Sequence, residues 1–355
     1  MDSKLRTGLF IFGVIAIILT FMPYISADYW WVRMFDYPHL QLTGLTLLAL
    51  LLYFIKFDFR FYGDYIFAGF LLFCFVWQLQ KIYPYTEFSD YEVLNASSNP
   101  KSSLKLYAAN VLQKNEDYEK AIKDMLKEDA DIMVFTETNT IWQNEIRKAL
   151  PASYTEKVEY PLDNTYGILM YSKLPLINPE VKFLVSDSVP SIHTKVSLKD
   201  GSLIQLYSIH PTPPMPQENP TSTDRDAEMM MIAKKSLDSD LPVIVLGDFN
   251  DVAWSQTSRL FQSVSRLSDA RIGRGLYNTF NAKNVLMRWP LDHIFISDEF
   301  RIKSLSLGED IGSDHFPMVA TLSFEPDGID EQGLDSPTEA ELEQANTIIQ
   351  NFKED

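Results

Sequence analysis

Hydrophobic and polar positions are arranged in two different ways along this chain, and the change comes near residue 80. Before it, residues 7–27, 37–55 and 65–80 contain no Asp, Glu, Lys or Arg. A helix needs roughly 20 apolar residues, about 17 to 25, to cross the hydrocarbon core, so the first two stretches suffice and the third is at the short end. Trp30, Trp31, Tyr53, Tyr62, Tyr65 and Trp77 lie near their ends, where aromatic belts form. Residues 1–80 therefore read as a membrane region with three transmembrane helices. The alternative for the first is a cleaved signal peptide ending at Ile25-Ser26-Ala27, and for the third a buried or interfacial helix.

Past residue 80 the apolar runs shorten. Residues 81–103, with their Tyr, Ser, Asn and Pro, read as a linker, and residues 104–324 as one domain with a substantial core. Helical periodicity marks residues 118–127, 141–150, 224–237 and 255–265, each between strand-like runs. That alternation predicts an α/β fold of two packed mixed sheets with helices on the outer faces. Residues 325–355 form an acidic tail, in which Ser336-Pro337-Thr338-Glu339 resembles an N-cap, a first-turn proline and a capping-box Glu. Leu342, Ala345, Ile349 and Phe352 follow at helical spacing, predicting a short amphipathic helix.

Several strand-like runs end in polar groups. In VIVLGDFND, residues 243–251, four apolar residues and Gly247 deliver Asp248 and Asn250, which face the same way if the chain stays extended. In IGSDHFPMVATLSF, residues 311–324, Ser313, Asp314 and His315 precede a strand opened by Pro317. LKLYAANVL ends in Asn110, DADIMVFTETNT in Glu137 and SLIQLYSIHPTPP in His210, while RWPLDHIFIS opens a strand with Asp292 and His293. Taken singly, each is equally well a cap or an Asx turn. Their number argues for one site.

The ordered set Asn110, Glu137, His210, Asp248 with Asn250, Asp292, and Asp314 with His315 resembles the endonuclease/exonuclease/phosphatase superfamily over about residues 104–324. Gly-Asp-Phe-Asn and Ser-Asp-His-Phe-Pro stand in family form, and NTYGILMYSKLPL, residues 164–176, resembles the family's Gly-then-Ser-x-x-Pro hairpin. The resemblance implies a four-layer α/β/β/α sandwich with the site at one edge.

The chemistry is consistent with that. Hydrolysing a phosphate ester requires neutralising its charge, activating a water and protonating a leaving oxygen. Glu137, with Asn110 and Asp314, suits a Mg²⁺ or Mn²⁺ ion, because hard cations prefer oxygen ligands. Asp248 would orient or deprotonate the water, and Asn250 would donate to the phosphoryl oxygen. His315 would be an imidazole poised near neutral pH, its tautomer held by Asp292, and His210 would contact phosphate or the leaving group.

Other residues carry plainer expectations. His293 should face away from Asp292 and pack, and His193 and His39 read as structural. Trp254 reads as packing, and Arg225 as a solvated charge. Arg271, Arg274, Lys283 and Arg288 would face a polyanion or merely solvent.

Net charge is -17, of which the tail's ten acids and one lysine supply -9, leaving -8 for the rest. That moderately acidic balance does not favour long nucleic acid. Lys4 and Arg6 precede the first span and Lys56 and Arg60 follow the second, against Arg33 alone in the first loop. The bias predicts a cytoplasmic N-terminus and, after three crossings, an extracytoplasmic domain. The lone Cys74 does not settle the compartment. The expected function is a membrane-anchored phosphodiesterase acting on nucleic acid; the alternatives are a phospholipid-headgroup or small phosphate-ester hydrolase, and a ligand-binding module without catalysis.

Overall fold

The computed structural model describes residues 2–25, 27–98, 100 and 102–354. Ser26 of the cleavage-like tripeptide lies outside the described residues. The charge-free stretches become α1 (Asp2–Phe21), α3 (His39–Tyr53) and α4 (Tyr62–Ile82), with one helical turn, α2 (Trp30–Arg33), in the first connection. With their flanking turns, segments Ser3–Tyr24, His39–Lys56 and Tyr62–Tyr85 are long and apolar enough to cross a membrane. The third outgrows its charge-free core because Asp64 is neutralised inside the bundle. Its carboxylate pairs with Arg6 and accepts from the Tyr53 hydroxyl, both at 2.8 Å. Further along, Gln78 hydrogen-bonds both Thr20 and Thr46, joining all three helices through buried polar groups.

The domain opens with β1 (Ser102–Asn110), α5 (Tyr118–Glu128), β2 (Ile132–Thr136), α6 (Thr140–Ala149), β3 (Glu156–Tyr160) and β4 (Ile168–Ser172). It continues through β5 (Leu176–Phe183), β6 (Pro190–Ser197), β7 (Leu203–Ser208), α7 (Thr223–Leu237), β8 (Val243–Asp248) and α8 (Gln256–Ser265). The last elements are β9 (Ser268–Asp269), β10 (Asp292–Ile296), β11 (Phe300–Leu307), β12 (Met318–Phe324) and α9 (Glu339–Glu354). One sheet has the order β11-β12-β1-β2-β4-β3 and the other β5-β6-β7-β8-β10-β9. Each is antiparallel except for one internal parallel pair, β1 with β2 and β7 with β8.

Alternate residues of the inner strands, such as Leu106, Val134, Leu206 and Ile244, fill the space between the sheets. Their neighbours in sequence face outward. Tyr107 and Phe135 meet Met125 and Trp142 on one side; Val245 meets Met229 and Phe261 on the other. The result is the four-layer sandwich that the resemblance implied.

Three local expectations are corrected. Residues 164–176 do not form a hairpin within one sheet, because β4 lies in the first sheet and β5 in the second. The Ser-x-x-Pro turn is a corner between sheets, held by Ser172 Oγ on the Leu174 backbone, with Pro175 offering no donor to continue a ladder. The capping box of α9 is displaced by two residues. Glu341 accepts from the Thr338 N–H at 2.8 Å and donates its own N–H to Thr338 Oγ at 3.3 Å. That helix does not float, since Leu342, Ala345 and Ile349 pack against the α7 face of the core. The segment after α4 is packed too: Tyr85 donates to the Ala253 carbonyl at 2.6 Å and Val93 is fully buried.

The first connection, between α1 and α3, docks on the domain. Trp30 N–H donates to the Pro220 carbonyl at 2.9 Å and Ser222 N–H to the Asp28 carbonyl at 2.7 Å. The Trp254 indole N–H reaches the Asp36 carbonyl at 2.8 Å, so its packing role has a specific partner. This connection and the domain therefore sit at the same end of the helix bundle.

Candidate active site

The chemistry collects where strand ends of both sheets meet. Asn110 ends β1, Glu137 follows β2, His210 follows β7 and Asp248 ends β8. In the antiparallel register of β10 with β8, Asp292 stands opposite Asp248 and His293 opposite Gly247. Gly247, at φ 141°, is required by crowding rather than by a turn: a Cβ there would lie 2.1 Å from the Ile209 carbonyl oxygen. That close approach brings His210 beside Asp248.

Asn110 ties the sheets together. Its Nδ2 donates to Glu137 Oε1 at 2.7 Å and to Asp248 Oδ2 at 2.9 Å. The same Asp248 oxygen lies 3.7 Å from His210 Nε2 and 3.6 Å from His315 Nε2. His315 Nδ1 is 2.7 Å from Asp292 Oδ2, a charge-assisted hydrogen bond. Ser313 seats the turn that carries His315, donating through Oγ to the Asn110 carbonyl at 2.8 Å and accepting the His315 N–H at 3.0 Å.

Gly-Asp-x-Asn makes the Asx turn without withdrawing Asp248 from its neighbours. Asp248 Oδ1 accepts the Asn250 N–H at 2.9 Å, an Asx turn, while the carboxylate faces the site. Asn250 donates one amide hydrogen to the Pro211 carbonyl at 2.9 Å, and its side chain lines the cavity described below. Glu137 and Asn250 both have left-handed backbone, φ 57° and 51°, which costs about 1–3 kcal/mol each and is held by the surroundings.

Electrostatics divides the roles. Burial raises the Asp248 carboxyl, but His315, His210 and the Asn110 amide outweigh it, so the group lies below its ordinary value and is ionised. Burial raises Asp292, and Asp248 adds to this despite the attraction of His315. Burial also raises Glu137, against His210 and Asn110. Burial opposes charge on His315, yet the attraction of Asp292 and Asp248 lifts it to about 10. The expectation of an imidazole poised near neutral pH is thus corrected: flanked by two carboxylates, His315 is an imidazolium there.

Two arginines read as solvated or ligand-facing are buried. Arg225 forms ion pairs with Asp226 at 2.8 Å and Asp251 at 3.3 Å, and donates to the Asn250 carbonyl at 2.9 Å. It braces the loop that follows Asp248 from behind. Arg271 is fully buried against Asp269 at 2.7 Å and the His293 ring. His293 packs as expected, with Nε2 on the Asp251 carbonyl at 2.9 Å. His193 is buried beside Ser191 and Tyr207.

Sequence reasoning missed Thr279, whose Oγ accepts the Asp292 N–H at 3.2 Å, and Tyr166, whose ring lies 5.4 Å from His210. It also missed Tyr37 of the first connection, whose hydroxyl donates to the Asn250 carbonyl at 2.8 Å. Only Tyr166 had a signal, standing beside Gly167 in a family-like segment.

A cavity of about 880 Å³ opens above these groups, lined among others by Glu137, His210, Asn250, Asp314 and His315. The donor set fits a hard divalent cation. Among the described residues no lysine or arginine side chain pairs with Glu137, Asp248, Asp292 or Asp314, and buried His210 Nδ1 lacks a partner. Asp248, Asp292 and His315 each bring a potential ligand atom within 4.8 Å of the others, a possible cation site to which His315 would contribute only on losing its proton. Glu137 Oε1 and Asn110 offer oxygen ligands beside it, with Asp314 on the cavity wall.

The family model of the Endonuclease/Exonuclease/phosphatase family matches residues 95–315, and the chain belongs to that family. Its members are generally phosphoester hydrolases. Solved structures share the fold. D. rerio TDP2, complexed with single strand DNA product, is 16% identical with a TM-score of 0.53 over 63% of this chain and 100% of its own. An endonuclease/exonuclease/phosphatase from Bacteroides vulgatus is 18% identical, with a TM-score of 0.52 over 63% and 100%. Another from Beutenbergia cavernae is 15% identical, with a TM-score of 0.52 over 63% and 72%. No curated protein sequence matches the chain.

Proposed function

We propose that this protein is a membrane-tethered, divalent-metal-dependent phosphoesterase. The observation that carries the reading is the Asp248 carboxyl group held between His210 and His315 and tied through Asn110 to Glu137. Glu137 and Asn110, with Asp314, would hold Mg²⁺ or Mn²⁺, which when bound neutralises phosphoryl charge and acidifies a water. Asp248 orients the attacking water and takes its proton as the new P–O bond forms. The His315 imidazolium and the second amide hydrogen of Asn250 donate to phosphoryl oxygens that gain charge in the transition state. His210 protonates the leaving oxygen as the ester P–O bond breaks.

The test is hydrolysis of phosphate esters by the full chain in detergent, titrated with Mg²⁺. Glu137→Gln should raise the metal concentration for half-maximal activity about 10–100-fold. An unchanged titration would remove Glu137 from the metal.

Nucleic acid, the first expectation from the sequence, gains little support. Arg225 and Arg271, which a polyanion could have used, are consumed in buried pairs, and the cavity lining holds Glu137, Glu218 and Asp314 alongside Lys114. Phosphate neutralisation by Lys and Arg supplies most nucleic-acid affinity.

We further propose that all three helices cross, with the domain extracytoplasmic. Crossings by both α3 and α4 put the first connection and the domain on one side, in keeping with the hydrogen bond from Tyr37 to Asn250. A reporter fused after Asp355 should give an extracytoplasmic signal; a cytoplasmic one would mean that a helix does not cross.

A further inference from the structure

We infer that the substrate is a lipid phosphoester taken from the bilayer, its phosphate at Asp248 and His315 and its hydrocarbon against a wall shared by the membrane region and the domain. This rests on the phosphoesterase reading above and names its substrate class.

The cavity is mixed in character. Besides the catalytic groups, its lining includes Trp30, Met34 and Tyr37 from the first connection and Met215, Met287 and Trp289 from the domain. A phosphate with a small polar alcohol would leave most of about 880 Å³ to water against indole and thioether surfaces. An alkyl chain fills such a space favourably, at about 0.8 kcal/mol per buried CH₂. Methionines suit it because they adapt to flexible chains.

A second observation says where the chain comes from. The loop before Trp289 exposes Val285, Leu286 and Met287 at 77%, 80% and 53%. Those exposures would be a liability in water. Yet the Leu286 carbonyl accepts from Gln41 Nε2 at 2.8 Å, and the Trp289 indole N–H donates to Gln41 Oε1 at 3.2 Å. Gln41 lies in the first turn of α3, where a membrane-length segment begins. The three apolar side chains therefore stand at the depth where α3 enters the bilayer. On the other side of the same loop, Ala282 N–H donates to the Asp314 carbonyl at 2.7 Å. One loop thus connects the lipid surface to the catalytic turn, and a lipid can move from bilayer to metal site without entering water.

The experiment uses the full chain in nanodiscs with Mg²⁺. Dioleoyl phosphatidylcholine and dioleoyl phosphatidic acid are compared with their dihexanoyl counterparts, glycerol phosphate and a single-stranded oligonucleotide. At least one dioleoyl lipid should be turned over tenfold or more faster than its short-chain counterpart. Met34→Asp and Met287→Asp should each reduce that preference below twofold. A phosphatidylcholine carrying a diazirine in its acyl chain should label the Trp30–Met34 or Met287–Trp289 segment of metal-free protein on illumination. Hydrolysis of the oligonucleotide or glycerol phosphate in preference to every lipid, lost in His315→Ala, would overturn the lipid assignment and leave the phosphoesterase reading standing. Hydrolysis of none by folded protein, with no labelling, would overturn both.

Discussion

Replacing His315 by alanine should lower kcat about 10³-fold while the protein stays folded. The side chain is buried, charged at neutral pH and fixed at 2.7 Å by Asp292, so its positive charge costs no reorganisation when the phosphoryl oxygens gain charge. Asp292→Asn should cost less, roughly 10–100-fold, since the ring remains but loses its orientation and part of its proton affinity. The comparison is made by steady-state kinetics on the substrate that the wild type turns over best. A His315→Ala enzyme keeping more than roughly a tenth of kcat would place the chemistry elsewhere.

The second large effect concerns stability. Glu228 on α7 is fully buried, and neither carboxyl oxygen has a hydrogen-bond partner. Burial, with the charge of Asp224 added, lifts it to about 8. The folded protein therefore binds a proton that the unfolded chain releases near its ordinary value of 4.5. Stability from this group is full below that value and is lost as pH rises through about 8. Between about pH 5 and 9 the loss amounts to roughly 3–5 kcal/mol, since each tenfold difference in proton affinity between the folded and unfolded chain is worth about 1.4 kcal/mol. Glu228→Leu should remove it. Thermal unfolding of both proteins in the same detergent across this range should show the variant gaining on wild type as pH rises. Parallel curves would mean that Glu228 finds a partner and stays ionised.

Which parts of this molecule were readable in the chain follows from the reach of each signal. Asn110, Glu137, His210 and Asp248 could be picked out because an apolar run stopping at a polar residue is a local pattern, and a strand end is a local place. Helices α5 to α8 were legible for the same reason. Arg225 was misread because its partner Asp251 becomes a neighbour only in the folded chain, and Arg271 because its pairing with Asp269, two residues away, says nothing in the sequence about burial. The residues 164–176 looked like a hairpin because turn chemistry does not record which sheet a strand joins. Nothing local could reveal Tyr37, which meets Asn250 across 213 residues. Its contact also means that a domain cut near residue 104 lacks one cavity wall and one of the two side-chain donors on the Asn250 carbonyl.

The pairing of β1 with β12 also bears on how the protein is made. Leu104 stands opposite Leu322, and Asn110 is seated by Ser313 from the loop just before that last strand. During synthesis the first strand waits for the last, with more than 200 residues between them, and β2 alone cannot complete the sheet. The three N-terminal helices emerge early, but the half-made chain behind them has neither His315 nor the strand that follows it. On the proposed function, hydrolysis would therefore begin only after the whole domain has been translated and closed, so a nascent or truncated chain would carry its N-terminal helices without the activity.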